Sequence, residues 1–370
     1  LNESKVIKEI YWLRALACLA VVVTHAVNTT LSNYEMNIHQ SEEYFLIALR
    51  FIAFFGTPAF IFISELLLAY SYPNGVPKGF FMKRVKFLLL PFAFMALVFA
   101  IITTDTLYAF MEQLVLNLFL GGYTGYFVLI IFQFYLLHIF AKKFLDKWPP
   151  FKVIAVSLVI SSSYLAIFHF TNPPSFTFGE YIWQRGHWLP IFGWLFYFTL
   201  GYYCGKHYQL LIEKILPYKK LIYFMPFISI SIVFLLVRSD ILTVVSSKRI
   251  DYLIYTTAMI AVILLVAYQI KKVPKFVLFI SKYSFNIYLL HTAFLYFFPY
   301  IDFVHPLLYF VLAMTMSITA SVMVVKLSSL WTFSPYLVGK TLPIPDLKFR
   351  ENEVCRDNLR TPQTSTEEQH

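Results

Sequence analysis

The run from Ile10 to Leu31, IYWLRALACLAVVVTHAVNTTL, decides how this chain is read. It holds only two ionisable groups, Arg14 and His25, in an otherwise apolar or small-residue stretch. About twenty such residues, each rising ~1.5 Å in a helix, cross a hydrocarbon core of ~30 Å. No small-residue cleavage site follows the run, so it reads as a retained transmembrane helix rather than a signal peptide.

Comparable runs recur along the whole chain. They predict ten spans, near 10–31, 45–70, 80–103, 121–141, 151–169, 187–205, 220–237, 252–270, 276–298 and 305–332. Pro73, Pro77, Pro149, Pro150, Pro173, Pro174, Pro217 and Pro274 fall between them, where a residue without an N–H ends or interrupts a helix. Composition agrees. Of 370 residues 59% are hydrophobic and 14% charged, with mean hydropathy +0.67; a soluble domain is about half apolar and about a quarter charged. The expectation is an all-α polytopic membrane protein. Residues 1–335 form its transmembrane domain, and 336–370 a polar, disordered cytoplasmic tail rich in Thr, Gln and Glu.

Loop charge gives the orientation. Lys78, Lys83, Arg84 and Lys86 mark one loop; Lys142, Lys143, Lys147 and Lys152 the next of its set; then Lys206, Lys214, Lys219 and Lys220; then Lys271, Lys272 and Lys275. The alternate loops carry Glu35, Glu42 and Glu43, then Asp105 and Glu112, then Asp302. The positive-inside rule places the first set, and both termini, in the cytoplasm. The loop at 238–251 is a partial exception, holding Arg238, Lys248 and Arg249 against Asp240 and Asp251. The net charge of +10 follows from the same asymmetry and, with no basic recognition motif, is not read as nucleic-acid binding. Cys18, Cys204 and Cys355 show no paired spacing, so neither a disulfide framework nor a metal site is expected.

Ionisable residues at membrane depth are candidate functional groups. Arg14 and His25 are eleven residues apart, almost three turns, so both project from nearly the same face, ~16 Å apart along the axis. Arg14 reads either as an interfacial anchor or as a substrate contact; His25 either as a neutral structural imidazole or as a general base for a hydroxyl. His291 sits at comparable depth in the ninth span with Tyr288 one turn before it, and nothing in the sequence says whether the two histidines meet. Glu65 matches Arg14 in depth, which suggests a neutralising Arg14–Glu65 pair. Lys83, Arg84 and Lys86 read as ordinary cytoplasmic charge or as a clamp for an anionic donor. No nucleotide-binding loop or metal-ligand cluster appears.

Taken in order, these pieces resemble the acyltransferase-3 family of membrane O-acyltransferases. The resemblance rests on Arg14 and His25 in the first span, GTPAFIFIS at 56–64, Lys83-Arg84-Val85-Lys86 ahead of Pro91, YTGYF at 123–127, FYFTLG at 196–201 and SFNIYLLH at 284–291. It covers about 10–335 and is similar in detail to the branch found in staphylococcal poly-N-acetylglucosamine systems. Ser64-Glu65 and Arg84-Val85-Lys86 depart from the family's frequent Ser-Gly and Arg-x-Arg, and lysine lacks the bidentate geometry of arginine.

The resemblance implies transfer of an acetyl or succinyl group from a cytoplasmic acyl-CoA, used as donor substrate with no bound cofactor, to a hydroxyl of a cell-surface or exported glycan. It also implies a bacterial cytoplasmic membrane, a lipid bilayer around the protein, and other glycan-synthesis proteins as partners. On that reading His25 and Arg14 are catalytic, Arg84, Lys86 and Lys83 bind the donor, and His291, Tyr288 and Glu65 line the acceptor site. The alternative is polysaccharide export by the same helices, with the histidines as proton-relay or gating groups.

Overall fold

The computed structural model describes residues 7–343, and these are helical, with no strand among them. Eight helical segments are long and apolar enough to cross a membrane. Each of the ten expected spans is occupied by helix, but two fall outside that group of eight. The sixth is only twelve residues of α-helix (α10, Leu195–Lys206), preceded by a 3-10 turn at Ile191–Trp194. The ninth (α14, Lys275–Tyr296) is long enough, but it is polar on its packed side, where Ser281, Ser284, Asn286 and His291 are all buried.

α1 (Glu9–Asn33) is the hub. It packs against α2 (Gln40–Ala53), α3 (Gly56–Ser71), α13 (Tyr252–Gln269), α14 and α15 (Pro306–Ser328). Its small residues explain this centrality, because Ala15, Ala17, Ala20 and Ala26 are buried and let neighbouring backbones come close. Gly56 of α3 lies so near α1 that an added Cβ would stand 2.7 Å from the Ala17 carbonyl. α3 and α10 form the most extensive helix pair, through Gly201 and Gly205. A Cβ at Gly205 would meet the Leu66 carbonyl at 2.2 Å, and one at Gly201 the Phe62 carbonyl at 2.8 Å. The spacing is that of a Gly-x-x-x-Gly contact.

The perimeter faces lipid. α8 (Pro150–Phe170) and α12 (Lys219–Arg238), with the short α9 (Gly179–Gly186) and α11 (Tyr208–Ile215) between them in the chain, expose Phe151, Val159 and Ile167, and Leu221, Phe224, Phe227 and Leu235. So much bare apolar surface is stable only against hydrocarbon or another apolar surface.

Three local departures shape the site. The third span is α4 (Phe80–Arg84), a π-helical turn at Val85–Leu89, then α5 (Leu90–Thr103). Pro91 supplies no N–H to the ladder and its ring crowds the preceding turn, which the wider π turn absorbs. A helix the sequence reading left as loop, α6 (Leu107–Phe119), starts where the Thr106 hydroxyl accepts from the Ala109 N–H at 3.2 Å. A 3-10 turn at Thr124–Tyr126 leads into α7 (Phe127–Leu145).

Residues 336–343, expected in the disordered tail, instead continue the fold. Val338 is buried, and the Asn286 side-chain amide donates to the carbonyls of Val338 and Gly339 at 2.8 and 2.9 Å. The rest of the expected tail, 344–370, lies outside the described residues.

Candidate functional site

Two cavities lie along α1. The first, of about 470 Å³, is lined by Arg14, Tyr11, Ser64, Arg84, Tyr135 and Tyr288 among others. The second, of about 430 Å³, is lined by His25, Asn28, Arg50, Trp188, Lys248 and again Tyr288. The eleven-residue spacing on α1 therefore delivers one ionisable side chain to each. No Asp or Glu lines either cavity.

In the first cavity Arg14 and Arg84 have no ion pair among the described residues. The Arg84 guanidinium lies over the rings of Phe80 at 4.9 Å and Tyr135 at 5.4 Å. That arrangement holds it by cation–π contact and leaves its donors free for a ligand. Lys83 and Lys86, grouped with it in the sequence reading, are exposed and line neither cavity. Arg84 points inward because it closes α4, whose Phe80 packs into the core beside Tyr135.

At the second cavity the two histidines meet. The His25 and His291 ring centroids are 5.1 Å apart, with the planes tilted by 60°. His291 is fully buried, and its Nδ1 lies 2.8 Å from the Ile287 carbonyl and 3.0 Å from the Tyr288 carbonyl. Both partners only accept, so Nδ1 carries a proton, while Nε2 has no partner. His25 lines the cavity and His291 stands behind it.

Tyr288 is the wall between the cavities. Its ring packs against Phe127 at 5.1 Å and Phe60 at 6.4 Å, and its hydroxyl donates to the Thr124 carbonyl. The Thr124 hydroxyl in turn bonds that of Thr292 at 2.8 Å. The 3-10 turn at 124–126 is thereby tied to α14 at the level of the histidines.

The expected Arg14–Glu65 pair does not form. Glu65 is buried and lines neither cavity; its Oε1 bonds His138 Nδ1 at 2.6 Å on α7. Arg14 and Glu65 match in depth, yet α3 turns Glu65 toward α7 and α10, where a Cβ added at Gly201 would stand 3.1 Å from that of Glu65. His138 carried no signal in the sequence beyond being a polar residue in an apolar run.

Sequence reading also missed the furniture of the second cavity. Lys248 sits 4.6 Å over the Tyr126 ring and 4.8 Å over Trp188, whose rings are 4.2 Å apart. Arg50, in the last turn of α2, donates to Asn28 Oδ1 at 2.9 Å. The one available clue was the excess of cations in the loop 238–251. The residue after Lys248, Arg249, is buried and is neutralised within the loop by Asp251 at 2.5 Å.

These features define an all-helical, multi-pass membrane protein whose core holds two cavities joined at one tyrosine wall. The family model described as "Acyltransferase domain" (acyltransferase-3) matches residues 7–326, and the chain belongs to this family of membrane acyltransferases. It is 38% identical over 300 residues to a Bacillus subtilis (strain 168) protein named as a candidate membrane-bound acyltransferase, covering 78% of this chain and 81% of that one. It is 30% identical over 299 residues to a Staphylococcus aureus (strain MRSA252) protein named as a candidate poly-β-1,6-N-acetyl-D-glucosamine export protein, covering 79% and 83%. A Staphylococcus epidermidis protein of the same description is 27% identical over 300 residues, covering 78% and 81%. No solved structure matches the chain.

Proposed function

We propose that this acyltransferase moves an acetyl or succinyl group from a cytoplasmic acyl-CoA to a hydroxyl of a cell-surface or exported glycan, across a bacterial cytoplasmic membrane. The observation that carries the reading is the pair of acid-free cavities, one lined by Arg14 and Arg84 and the other by His25 with His291 behind it, which share Tyr288 as their one common lining residue.

The loop lysines support a cytoplasmic opening for the Arg14–Arg84 cavity. There the two guanidiniums hold the phosphates of the donor, and the thioester arm runs toward Tyr288. On the other side His25 takes the proton of an acceptor hydroxyl as its oxygen attacks the thioester carbonyl. The C–O bond forms, the C–S bond breaks, and the imidazolium returns the proton to the departing thiolate. A neutral His291, its Nδ1 proton engaged with carbonyls, fills the space behind His25 and fixes the ring. Tyr288 must swing aside for the arm to reach His25.

The test is transfer by purified protein in lipid, supplied with labelled acetyl- or succinyl-CoA and a panel of glycans, with His25→Ala as control. Labelled glycan that depends on His25 supports the reading. The staphylococcal relatives' names favour a second reading, glycan export. Wild-type protein that moves no label across the panel yet passes glycan through vesicles would replace acyl transfer with export.

A further inference from the structure

The second cavity contains more positive charge than acyl transfer to a neutral sugar requires. Arg50 and Lys248 both line it, on α2 and on the loop before α13, and no carboxylate lines it with them. Asp251, the acid nearest Lys248 in sequence, pairs with Arg249 at 2.5 Å, and Glu42, on the same helix as Arg50, pairs with His305 at 2.8 Å. Neither cation is loose. Lys248 is seated over Tyr126 and Trp188, and its backbone N–H donates to the Ser246 hydroxyl at 3.1 Å. Arg50 is anchored to Asn28 through Nη1, while its buried Nε has no partner. Two held cations facing one partly enclosed space repel each other. A bound oxyanion removes that penalty.

We propose that Arg50 and Lys248 form an anion subsite in the His25 cavity, which takes a carboxylate or phosphate carried by the substrate. The inference rests on the acyl-transfer reading for the identity of that substrate, but not for the existence of the subsite. The oxyanion reaches the cavity either on the acceptor sugar or at the far end of a dicarboxylic acyl chain. Tyr126 and Trp188 then present an aromatic face beside it, the surface on which a sugar ring packs, and Ser246 and Ser247 add hydroxyls at the same rim. Arg50 supplies planar donors and Lys248 a point charge, a combination that suits an oxyanion better than a neutral hydroxyl.

The experiment compares wild type with Arg50→Gln, Lys248→Gln, the double variant and the conservative Lys248→Arg. Transfer is measured for acetyl-CoA and succinyl-CoA, each with N-acetylglucosamine and with N-acetylglucosamine 1-phosphate. The double variant is expected to lose at least tenfold more kcat/KM on the combination that brings an anion to the cavity than on acetyl-CoA with the neutral sugar. Lys248→Arg should recover most of the difference. A loss tied to the phosphate assigns the anion to the acceptor, and one tied to succinyl-CoA assigns it to the acyl chain. Equal losses on all four combinations overturn the subsite.

Binding is read separately from catalysis by the fluorescence of Trp188, with Trp188→Phe as reference, during titration with N-acetylglucosamine 1-phosphate, succinate and N-acetylglucosamine. Saturable quenching by an anion, weakened at least tenfold in the double variant, supports the subsite even where no acyl transfer is found; that outcome would fail only the acyl-transfer reading. Failure of both anions to bind overturns the subsite whatever the protein transfers.

Discussion

A histidine can serve as a base only if a ring nitrogen offers its lone pair to the reacting hydroxyl, and of the two histidines only His25 lines a cavity. His291 has its Nδ1 proton shared between two carbonyls of its own helix and no solvent exposure, so it is held in place and cannot reach a ligand. His25, 5.1 Å away, faces the cavity. His25→Ala should therefore lower kcat by about 10²–10⁴, the usual worth of a positioned base, with little change in donor KM. His291→Ala acts through His25, so its loss should be smaller and should come with a displaced pH–rate profile, measurable on the same assay. A buried pair elsewhere behaves differently. Glu65 and His138 are both inaccessible and share one 2.6 Å bond, so replacing either partner with alanine strands the other. Glu65→Ala should cost about 1–3 kcal/mol, seen as a fall in melting temperature in detergent, whereas Glu65→Gln keeps a hydrogen-bonding group and should cost less.

At the scale of elements, the α3–α10 contact sets how α10 is held. A Cβ at Gly205 meets backbone, the Leu66 carbonyl at 2.2 Å, so no side-chain movement relieves it. Gly205→Ala should force the helices apart and destabilise the protein by about 1–3 kcal/mol, whereas Ala at an exposed position of α12 such as Ile228 should leave the melting temperature nearly unchanged. Which helices exist was readable from apolar runs, because lipid demands about twenty apolar residues per crossing. Which faces meet was not. Arg14 and Glu65 share a depth, and depth alone suggested a pair; helix rotation, set here by Gly201 and its neighbours, sends Glu65 to His138 instead. α6 escaped notice for a related reason: its thirteen residues are too few to span, and Glu112 broke the apolar pattern. His25 and His291 were each legible as polar residues at membrane depth, while their contact depends on α1 and α14 packing together, which no local spacing encodes. Lys248 was visible only as an anomaly in loop charge, and that anomaly marks the second cavity.

For the whole molecule the decisive property is which cavity faces which side. Lys78, Lys83 and Lys86 surround Arg84 in the sequence, whereas the histidine cavity is lined by Arg50 and Lys248. An acyl-CoA made in the cytoplasm can supply acyl groups to an exterior glycan only if the arginine cavity opens inward and the histidine cavity outward. Two reporter cysteines test this in a Cys355→Ser background, where the remaining Cys18 and Cys204 are buried. Val245→Cys lies at the rim of the histidine cavity and is 52% exposed, while Lys86→Cys is exposed at the other end. A membrane-impermeant maleimide should label Val245→Cys on intact cells, and label Lys86→Cys only after permeabilisation. The reverse pattern would put the histidines in the cytoplasm. The arginine cavity would then have to draw its donor from outside the cell, where acyl-CoA is not made, so the donor assignment would fall with the orientation.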